Sequence, residues 1–344
     1  MVAEDLRAIT ADGPPWELLR GRTIVVSGAA GFLPAYLVES LLYLNESRGL
    51  GLKVLGLVRD PARAAARFAA HAGRDDLRLQ AQDLGLPLGP LDGPVDYVIH
   101  AASQASPKYY ATDPVGTLLP NVLGTAALLD LARERGCQGF LYFSGGEIYG
   151  QVEPGRAVTE DYAGGVDPLA LRSCYAEGKR AGEALCAAWH HQHGVPAKVV
   201  RPYHTYGPGM RLDDGRIYAD LVADVLAGRD LVLKSDGSAR RVFCYLADAT
   251  RGFLTVLLLG AAGEAYNIAN DEAEASVLEL AERLAGLAPE KGLKVLRQAR
   301  AAGDAYLPSP LARTFPSTAK ARALGWAPTT GLEQGFLRTL RSYT

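Results

Sequence analysis

TIVVSGAAGFLP, residues 23–34, is the stretch that decides the fold. A short apolar strand runs into glycines, and a helical pattern follows them through Leu44. The glycines let the backbone turn sharply and approach a pyrophosphate, whose charge is stabilised at the N-terminus of the helix. We therefore predict a dinucleotide site formed by Gly28, Gly31, Phe32 and Leu33.

Pro34 stands where such motifs usually carry a third glycine. Proline is tolerated in a first helical turn, because its missing N–H would have no intrahelical partner there. The strand before the motif and the helix after it favour a cofactor site over an ordinary turn.

Apolar strands alternate with helical patterns over the first 203 residues. Helices are predicted over residues 60–72, 116–135 and 175–193, and strands over residues 23–27, 53–58, 77–80, 97–100, 139–143 and 197–201. Continuous apolar strands separated by helices indicate a parallel sheet covered on both faces. The fold class is therefore α/β, a Rossmann-type doubly wound parallel sheet.

Shorter elements follow Pro208 and predict a smaller C-terminal substrate-binding α/β cap. We expect residues 1–22 to be an N-terminal extension and residues 23–203 to form mainly the dinucleotide-binding Rossmann domain. Residues 204–344 would form mainly the substrate-binding domain, with returns to the Rossmann sheet.

The end of the second strand leaves the choice between NAD and NADP open. An acidic residue normally binds the ribose hydroxyls there, but this strand ends in Val58. Arg59 could favour a 2′-phosphate, and Asp60 could replace the usual acid. Asp83 and Leu84, after the third strand, would suit the adenine edge.

Composition excludes several classes of protein. The 344 residues carry a formal net charge of −2, which does not indicate a nucleic-acid or membrane-surface binder. Four widely spaced cysteines suggest free thiols in a reducing cytoplasm, and we predict no metal site. The N-terminus lacks a signal-peptide core, and no apolar run approaches the length of a membrane span. We expect a cytoplasmic protein.

Tyr175 and Lys179 are the candidate catalytic pair. Their spacing of four places both side chains on one face of a helix. A nearby ammonium favours the phenolate and lowers the tyrosine pKa, so that the tyrosine can act as a base. Such a pair often occurs by chance, but here it follows the glycine motif within the same α/β pattern.

The chain resembles the extended short-chain dehydrogenase/reductases, and within them the UDP-glucuronate decarboxylases. Four segments carry the resemblance: HAASQASPKYYATDP (100–114), RSCYAEGKRAGEAL (172–185), RPYHTYGPGMRLDDGR (201–216) and GSARRVFCYLAD (237–248). The resemblance implies NAD as cofactor, a UDP-sugar as substrate and a homodimer paired through helices 116–135 and 175–193.

The implied reaction oxidises C4 of UDP-glucuronate and so creates a ketone β to the C6 carboxylate. Carbon dioxide then leaves, and the returned hydride gives UDP-xylose. Tyr175 would take and return the proton of the C4 hydroxyl, while Lys179 would tune it and orient the nicotinamide ribose. Glu147 would act near C5 and C6 in decarboxylation.

The chain departs from its relatives at Gly145 and Gly146, where they usually carry a Thr-Ser pair before the glutamate. The hydroxyl that shares the C4 oxygen with the tyrosine is therefore missing. Ser144, one position earlier, would face the opposite way on a strand. A weaker hold on the C4 oxygen could release some UDP-4-keto-pentose.

The resemblance also implies a set of binding residues. His204 stands where relatives have asparagine, could donate to a phosphate, and would change charge near neutral pH. Gly209 stands where they have arginine. Arg241 would grip the diphosphate, because a planar donor fork suits phosphate oxygens. The remaining candidates are Tyr110 near the sugar acid, Tyr245 in the substrate site, Arg216 and Arg313 at the uridine end, and Ala101 and Ser103 beside the cofactor.

Two other functions stay open. A nucleotide-sugar 4-epimerase or 4,6-dehydratase would share the tyrosine–lysine pair, although Gly146 replaces the aspartate that a dehydratase needs. The other function is that of a non-catalytic NAD-binding regulator, and a turnover assay would distinguish it from an enzyme.

Overall fold

The computed structural model describes residues 2–11, 13–153, 156–298, 313 and 315–344. The strands are β1 Thr23–Ser27, β2 Lys53–Val58, β3 Leu77–Ala81, β4 Tyr97–His100, β5 Gly139–Phe143, β6 Ala197–Pro202, β7 His204–Tyr206, β8 Leu231–Leu233, β9 Arg240–Tyr245, β10 Ala265–Ile268, β11 Glu274–Ser276 and β12 Val295–Arg297. The helices are α1 Val2–Ile9, α2 Phe32–Arg48, α3 Pro61–Arg67, α4 Lys108–Thr112, α5 Pro114–Leu119, α6 Thr125–Glu134, α7 Ser173–His193, α8 Ile217–Ala227, α9 Leu246–Leu259, α10 Val277–Gly286, α11 Ala319–Arg322 and α12 Leu332–Arg341. Short 3-10 turns cover Trp16–Leu19, Ala69–His71, Gly146–Tyr149 and Pro289–Lys291.

Among the described residues the main sheet has seven parallel strands in the order β3-β2-β1-β4-β5-β6-β10. The strand order reverses between β1 and β4, and a crevice opens at the carboxyl ends of such strands. The predicted Rossmann-type fold is confirmed. The chain returns to this sheet after residue 203, because β10 pairs with β6.

The strands are apolar along their length because both faces of the sheet are covered. Val25, Val98 and Phe140 pack on one side, in the core that α6 and α7 share. Ile24 and Ile99 point to the other side, into the core formed with α2 and α9. Site residues at the carboxyl ends of these strands therefore stand on a rigid base.

One long helix runs over Pro114–Glu134, where a π-helical turn at Pro120–Gly124 joins α5 to α6. By length and composition it could cross a bilayer, which differs from the expectation that no apolar run is long enough. Half of it is buried, and it packs against α7. Buried core helices pass the same test, so this is weak evidence for a membrane span.

The cap is built from short elements. β7, β9 and β11 form a three-stranded sheet, β8 pairs with β12, and α8 packs against α10. β7 follows β6 after a single residue, Tyr203, so the cap sheet begins where the main sheet ends. The cavity between the two halves lies at this junction.

Candidate active site

A cavity of about 1590 Å³ lies at the carboxyl ends of the main strands, between the sheet and the cap. Many of the residues predicted from the sequence line it: Gly28, Gly31, Phe32, Leu33, Arg59, Asp60, Asp83, Leu84, Ala101, Ser103, Glu147, Tyr175, Lys179, His204, Arg216 and Arg241. Three predicted residues do not: Tyr110, Tyr245 and Arg313.

The glycine loop fits a diphosphate. Gly28 has a φ of +64°, and a Cβ atom there would lie 2.8 Å from the Ala102 Cα atom. The N–H of Gly31 donates to the Gly28 carbonyl at 2.7 Å, and Gly31 is the N-cap of α2. The first N–H groups of α2 therefore face the cavity without an intrahelical partner, an arrangement that suits a dinucleotide phosphate. Pro34 occupies the first turn, as expected.

At the adenosine end, both candidate acids already accept hydrogen bonds from nearby backbone N–H groups. An Asp60 carboxylate oxygen accepts from the Arg63 N–H at 3.0 Å as the N-cap of α3, and Asp83 accepts from the Gly85 N–H at 2.8 Å. Sequence reasoning missed Arg63 and Arg67, which also line the cavity. Their spacing of four from Arg59 onwards was the available signal, because residues four apart share a helix face.

Tyr175 and Lys179 lie together on α7, both buried. The Lys179 ammonium donates to the Phe143 carbonyl and lies 5.7 Å from the centre of the Tyr175 ring. Burial lowers the pKa of Lys179 to about 7. Burial, followed by the Glu147 carboxylate, raises the pKa of Tyr175, whereas Arg216 lowers it. The lysine alone therefore does not make this tyrosine acidic.

Tyr110 supports the tyrosine from behind and is not placed to touch a sugar. It is fully buried, and its ring stacks on that of Tyr175 with centres 5.2 Å apart and planes 18° apart. Its hydroxyl donates to the Ala105 carbonyl at 3.1 Å. The predicted substrate contact is therefore replaced by a packing role.

The glycine pair has two different surroundings. A Cβ atom at Gly145 would lie 3.1 Å from the Tyr175 hydroxyl oxygen, whereas one at Gly146 would lie 2.8 Å from the Tyr203 ring. Tyr203 thus fills the place of a side chain at 146. The hydroxyls of Ser144 and Tyr203 are buried and have no hydrogen-bond partner among the described residues.

Glu147 forms an ion pair with Arg172, at 3.3 Å. The Arg172 guanidinium also lies 5.4 Å from the centre of the Tyr110 ring. Sequence reasoning quoted Arg172 within a motif without giving it a role. Its position three residues before Tyr175, almost one helical turn, was the signal that could have identified it.

Arg216 lies at the catalytic end of the cavity, not at the uridine end where we expected it. Its guanidinium donates to the Asp214 carboxylate at 2.6 Å and to the Ala105 carbonyl. It is close enough to Tyr175 to lower the pKa of the phenol. The residue comes from the cap, in the loop before α8.

His204 and Arg241 face the same cavity from the cap. Burial lowers the pKa of His204 to about 3, and its Nδ1 atom is buried without a partner. The imidazole is therefore neutral near pH 7, which corrects the expectation of a charge that changes there. Arg241 donates to the Arg240 carbonyl at 2.7 Å, and its guanidinium contributes positive charge to the wall.

Tyr245 and Arg313 lie elsewhere, which corrects both predictions. The buried Tyr245 hydroxyl donates to Asp5 of α1 at 2.8 Å, so Tyr245 belongs to the core beneath the N-terminal helix. Arg313 pairs with Glu274 at 2.6 Å and is exposed beside β11. Within the described residues, no group of three His, Cys, Asp or Glu side chains is arranged to hold a metal.

Residues 24–269 match the NAD dependent epimerase/dehydratase family. UDP-glucuronic acid decarboxylase 6 of Arabidopsis thaliana is 34% identical over 319 residues, covering 91% of this chain and 86% of that protein. UDP-glucuronic acid decarboxylase 1 of Xenopus tropicalis is 31% identical over 98% of this chain and 76% of that protein. The structure of UDP-glucuronic acid 4-epimerase from Bacillus cereus, with UDP-glucuronic acid and NAD, superimposes with a TM-score of 0.77 at 24% identity, over 93% of this chain and 98% of that one.

The glycine loop, the alternating parallel sheet and the tyrosine–lysine pair all lie within the matched range. The fold agrees with that of the solved structure. The chain therefore belongs to the NAD dependent epimerase/dehydratase family, and its cofactor is NAD.

Proposed function

We propose that the protein converts UDP-glucuronate to UDP-xylose by C4 oxidation, loss of carbon dioxide and re-reduction. The observation that carries the proposal is the junction of Tyr175 and Lys179 with the Glu147–Arg172 pair at one end of the NAD cavity. The relatives named UDP-glucuronic acid decarboxylase support this choice of substrate.

Bound NAD would accept a hydride from C4 and return one at the end of the cycle. As the hydride leaves, the Tyr175 oxygen takes the proton of the C4 hydroxyl, and the C4 oxygen becomes a ketone. Lys179, held by the Phe143 carbonyl, stays beside the tyrosine ring throughout. A ketone two bonds from the C6 carboxylate makes carbon dioxide a good leaving group.

When the C5–C6 bond breaks, its electron pair passes to the C4 oxygen as an enolate, and C5 then takes a proton. Glu147 is the acid–base group proposed for C5, and Arg172 holds its carboxylate in place. The proton on Tyr175 returns to the C4 oxygen as C4 is reduced. With no hydroxyl at 145 or 146, some UDP-4-keto-pentose would escape before that last step.

The test is incubation of the purified protein with UDP-glucuronate, without and with added NAD, followed by mass spectrometry of the nucleotide products. Loss of carbon dioxide is expected, with UDP-pentose as the main product and UDP-4-keto-pentose as a minor one. A nucleotide pool that keeps its carboxylate in both reactions would refute the proposal. A product that contains only reduced pentose would refute the leakage.

An epimerase is the second candidate, because a 24% identical epimerase shares the fold. The same incubation separates the two: an epimerase gives UDP-galacturonate, which has the mass of its substrate and a different retention time. The absent side chain at Gly146 weighs against a dehydratase.

We also propose a homodimer paired through α5, α6 and α7. Val115 and Leu123 on the long helix are 63% and 50% exposed, an apolar surface that a second copy would cover. Light scattering should give twice the chain mass. Val115→Asp with Leu123→Asp should give the mass of one chain; dimers from this variant would contradict the proposed face.

A cytoplasmic location is likewise proposed. All four cysteines are described as free thiols, three of them buried, as suits a reducing compartment. Cell fractionation tests this directly, and recovery from an oxidising or membrane fraction would contradict it.

A further inference from the structure

Arg216 lies where the cap meets the catalytic helix. Its two nitrogens donate to the Asp214 carboxylate and to the Ala105 carbonyl. Ala105 belongs to the loop after β4, in the Rossmann half. The guanidinium therefore bridges the two halves of the protein.

The same carbonyl connects Arg216 to the catalytic tyrosine. The Tyr110 hydroxyl also donates to the Ala105 oxygen, at 3.1 Å, and the Tyr110 ring stacks on Tyr175. Arg216 and Tyr175 both line the cavity. A positive charge from the cap is thus fixed beside the group that must accept a proton.

The loop that carries Arg216 is held by contacts across the cavity mouth. The Ser106 hydroxyl donates to the Asp214 carbonyl, and the Lys108 ammonium contacts Asp213 at 3.3 Å. Together with the Arg216 contact to Ala105, these bonds join residues 105–108 to residues 213–216. The position of the guanidinium therefore depends on the contacts between these two loops.

Gly145 and Lys179, which lie beside Tyr175, do not provide a permanent positive charge. Gly145 is next to the tyrosine oxygen but provides no side-chain donor. Lys179 is held by a backbone carbonyl, and its pKa of about 7 means that it loses its charge as the pH rises through neutrality. A guanidinium keeps its charge at any working pH.

We propose that Arg216 is a positioning residue for the chemical step: its permanent charge, held in place by the contacts between residues 105–108 and residues 213–216, stabilises the Tyr175 oxygen as an anion. This inference rests on the proposed function.

The sign of the pH effect follows from the charges that face Tyr175. Glu147 raises the pKa of the phenol and Arg216 lowers it. Removing Arg216 raises that pKa, so the acid limb of the activity profile moves to higher pH. The other polar groups around the phenol are Lys179 on its own helix, Tyr110 on α4, Tyr142 on β5 and Tyr218 on α8. Arg172, just before that helix, lies over the Tyr110 ring.

The experiment compares Arg216→Gln and Arg216→Lys with the wild type, using UDP-glucuronate and profiles of kcat and kcat/KM against pH. For Arg216→Gln we expect kcat to fall by about 10- to 100-fold and the acid limb to move up by about one pH unit, a factor of ten in the ionisation constant. Arg216→Lys should keep the limb within about 0.3 units, because the charge is conserved. Arg283→Gln, which breaks an exposed pair with Glu333 far from the cavity, is the matched control and should leave both quantities unchanged.

A second measurement separates positioning from substrate binding. Calorimetry with UDP-glucuronate should give a Kd for Arg216→Gln within about threefold of the wild type. A Kd weakened as much as kcat/KM, with the acid limb unmoved, would overturn the inference and make Arg216 a plain substrate contact. If the wild type releases no carbon dioxide, the proposed function has failed. The acid limb of the pH profile is then measured on NADH formation from the same substrate. If Arg216→Gln does not move that limb, the inference about Arg216 is overturned independently of the proposed function.

Discussion

The Rossmann half and the cap hold their cavity residues in different ways. In the Rossmann half, the polar groups of the cofactor loops find partners within a few residues: the Asp60 carboxylate accepts from the Arg63 N–H, Asp83 accepts from the Gly85 N–H, and the Gly31 N–H donates to the Gly28 carbonyl. In the cap, Arg216 pairs locally with Asp214 but also donates to the Ala105 carbonyl, more than a hundred residues away. The cofactor loops can therefore be predicted from local motifs, whereas the placement of Arg216 against the Rossmann half requires the assembled fold.

Within the described part of the chain, the buried hydroxyl and imidazole groups without partners lie at the boundary of the two halves. Ser144 directly follows β5, Tyr203 connects β6 to β7, and His204 begins β7. Buried polar groups without partners are costly, and in native proteins they are concentrated where function needs them. Substitutions at this junction should therefore disturb the protein most. Each of the following experiments tests the contrast between the Rossmann half and the cap.

Tyr175→Phe should have the largest effect. It keeps the ring that stacks on Tyr110 but removes the proton acceptor, so kcat on UDP-glucuronate should fall by about 10²- to 10⁴-fold with unchanged thermal unfolding. Tyr43→Phe, on α2, is the control. If Arg216→Gln lowers kcat more than Tyr175→Phe does, the Rossmann half is not the half that carries the chemistry.

Asp5→Ala tests the placement of Tyr245. The Asp5 carboxylate is 2% exposed and accepts from Tyr36, Tyr245 and Arg338, so its loss should lower the free energy of unfolding by about 3 kcal/mol, measured by urea titration. Glu4→Ala removes an exposed carboxylate from the same arginine and should cost about 0.5 kcal/mol or less. A raised KM in folded Asp5→Ala would return Tyr245 to the substrate site.

Gly146→Ser should destabilise the junction. Its Cβ atom would meet the Tyr203 ring at 2.8 Å, and such overpacking costs about 1–3 kcal/mol of unfolding free energy. Gly286→Ser has open space around its Cβ atom and should change stability by less than about 0.5 kcal/mol. Tyr203→Leu in the Gly146→Ser background should recover part of the lost unfolding free energy. If it recovers none, the Tyr203 ring is not the reason that position 146 requires glycine.

Gly145→Ser should have the smallest effect, and in the opposite direction. Gly145 has extended backbone, φ −179°, which any residue adopts, and the new hydroxyl would reach the Tyr175 oxygen with a shift of a few tenths of an ångström. One added hydrogen bond of about 1 kcal/mol corresponds to a kcat increase of about fivefold and a smaller share of UDP-4-keto-pentose. Gly145→Ala adds the carbon without the hydroxyl; an equal gain there would exclude the hydrogen bond as the cause.

The strands of the main sheet were predictable because each is a short apolar run between helical patterns. β4 and β5 begin and end at the predicted residues, and the long helix differs by two residues at its start and one at its end. Helix α1 was missed, since its eight residues carry charges and its stability comes from packing on α2 and α9. β9 and α9 were not predicted, although the motif over residues 237–248 includes all of β9 and the start of α9.

The sequence by itself determined the strands of the main sheet, the glycine loop and the Tyr175–Lys179 pair, because each depends on residues a few positions apart. Only the tertiary structure decided that Arg216 reaches the catalytic end, that Tyr245 belongs to the core and that Tyr203 fills the place beside Gly146. These facts depend on segments brought together across more than fifty residues. Their positions are fixed by packing, which no local spacing encodes.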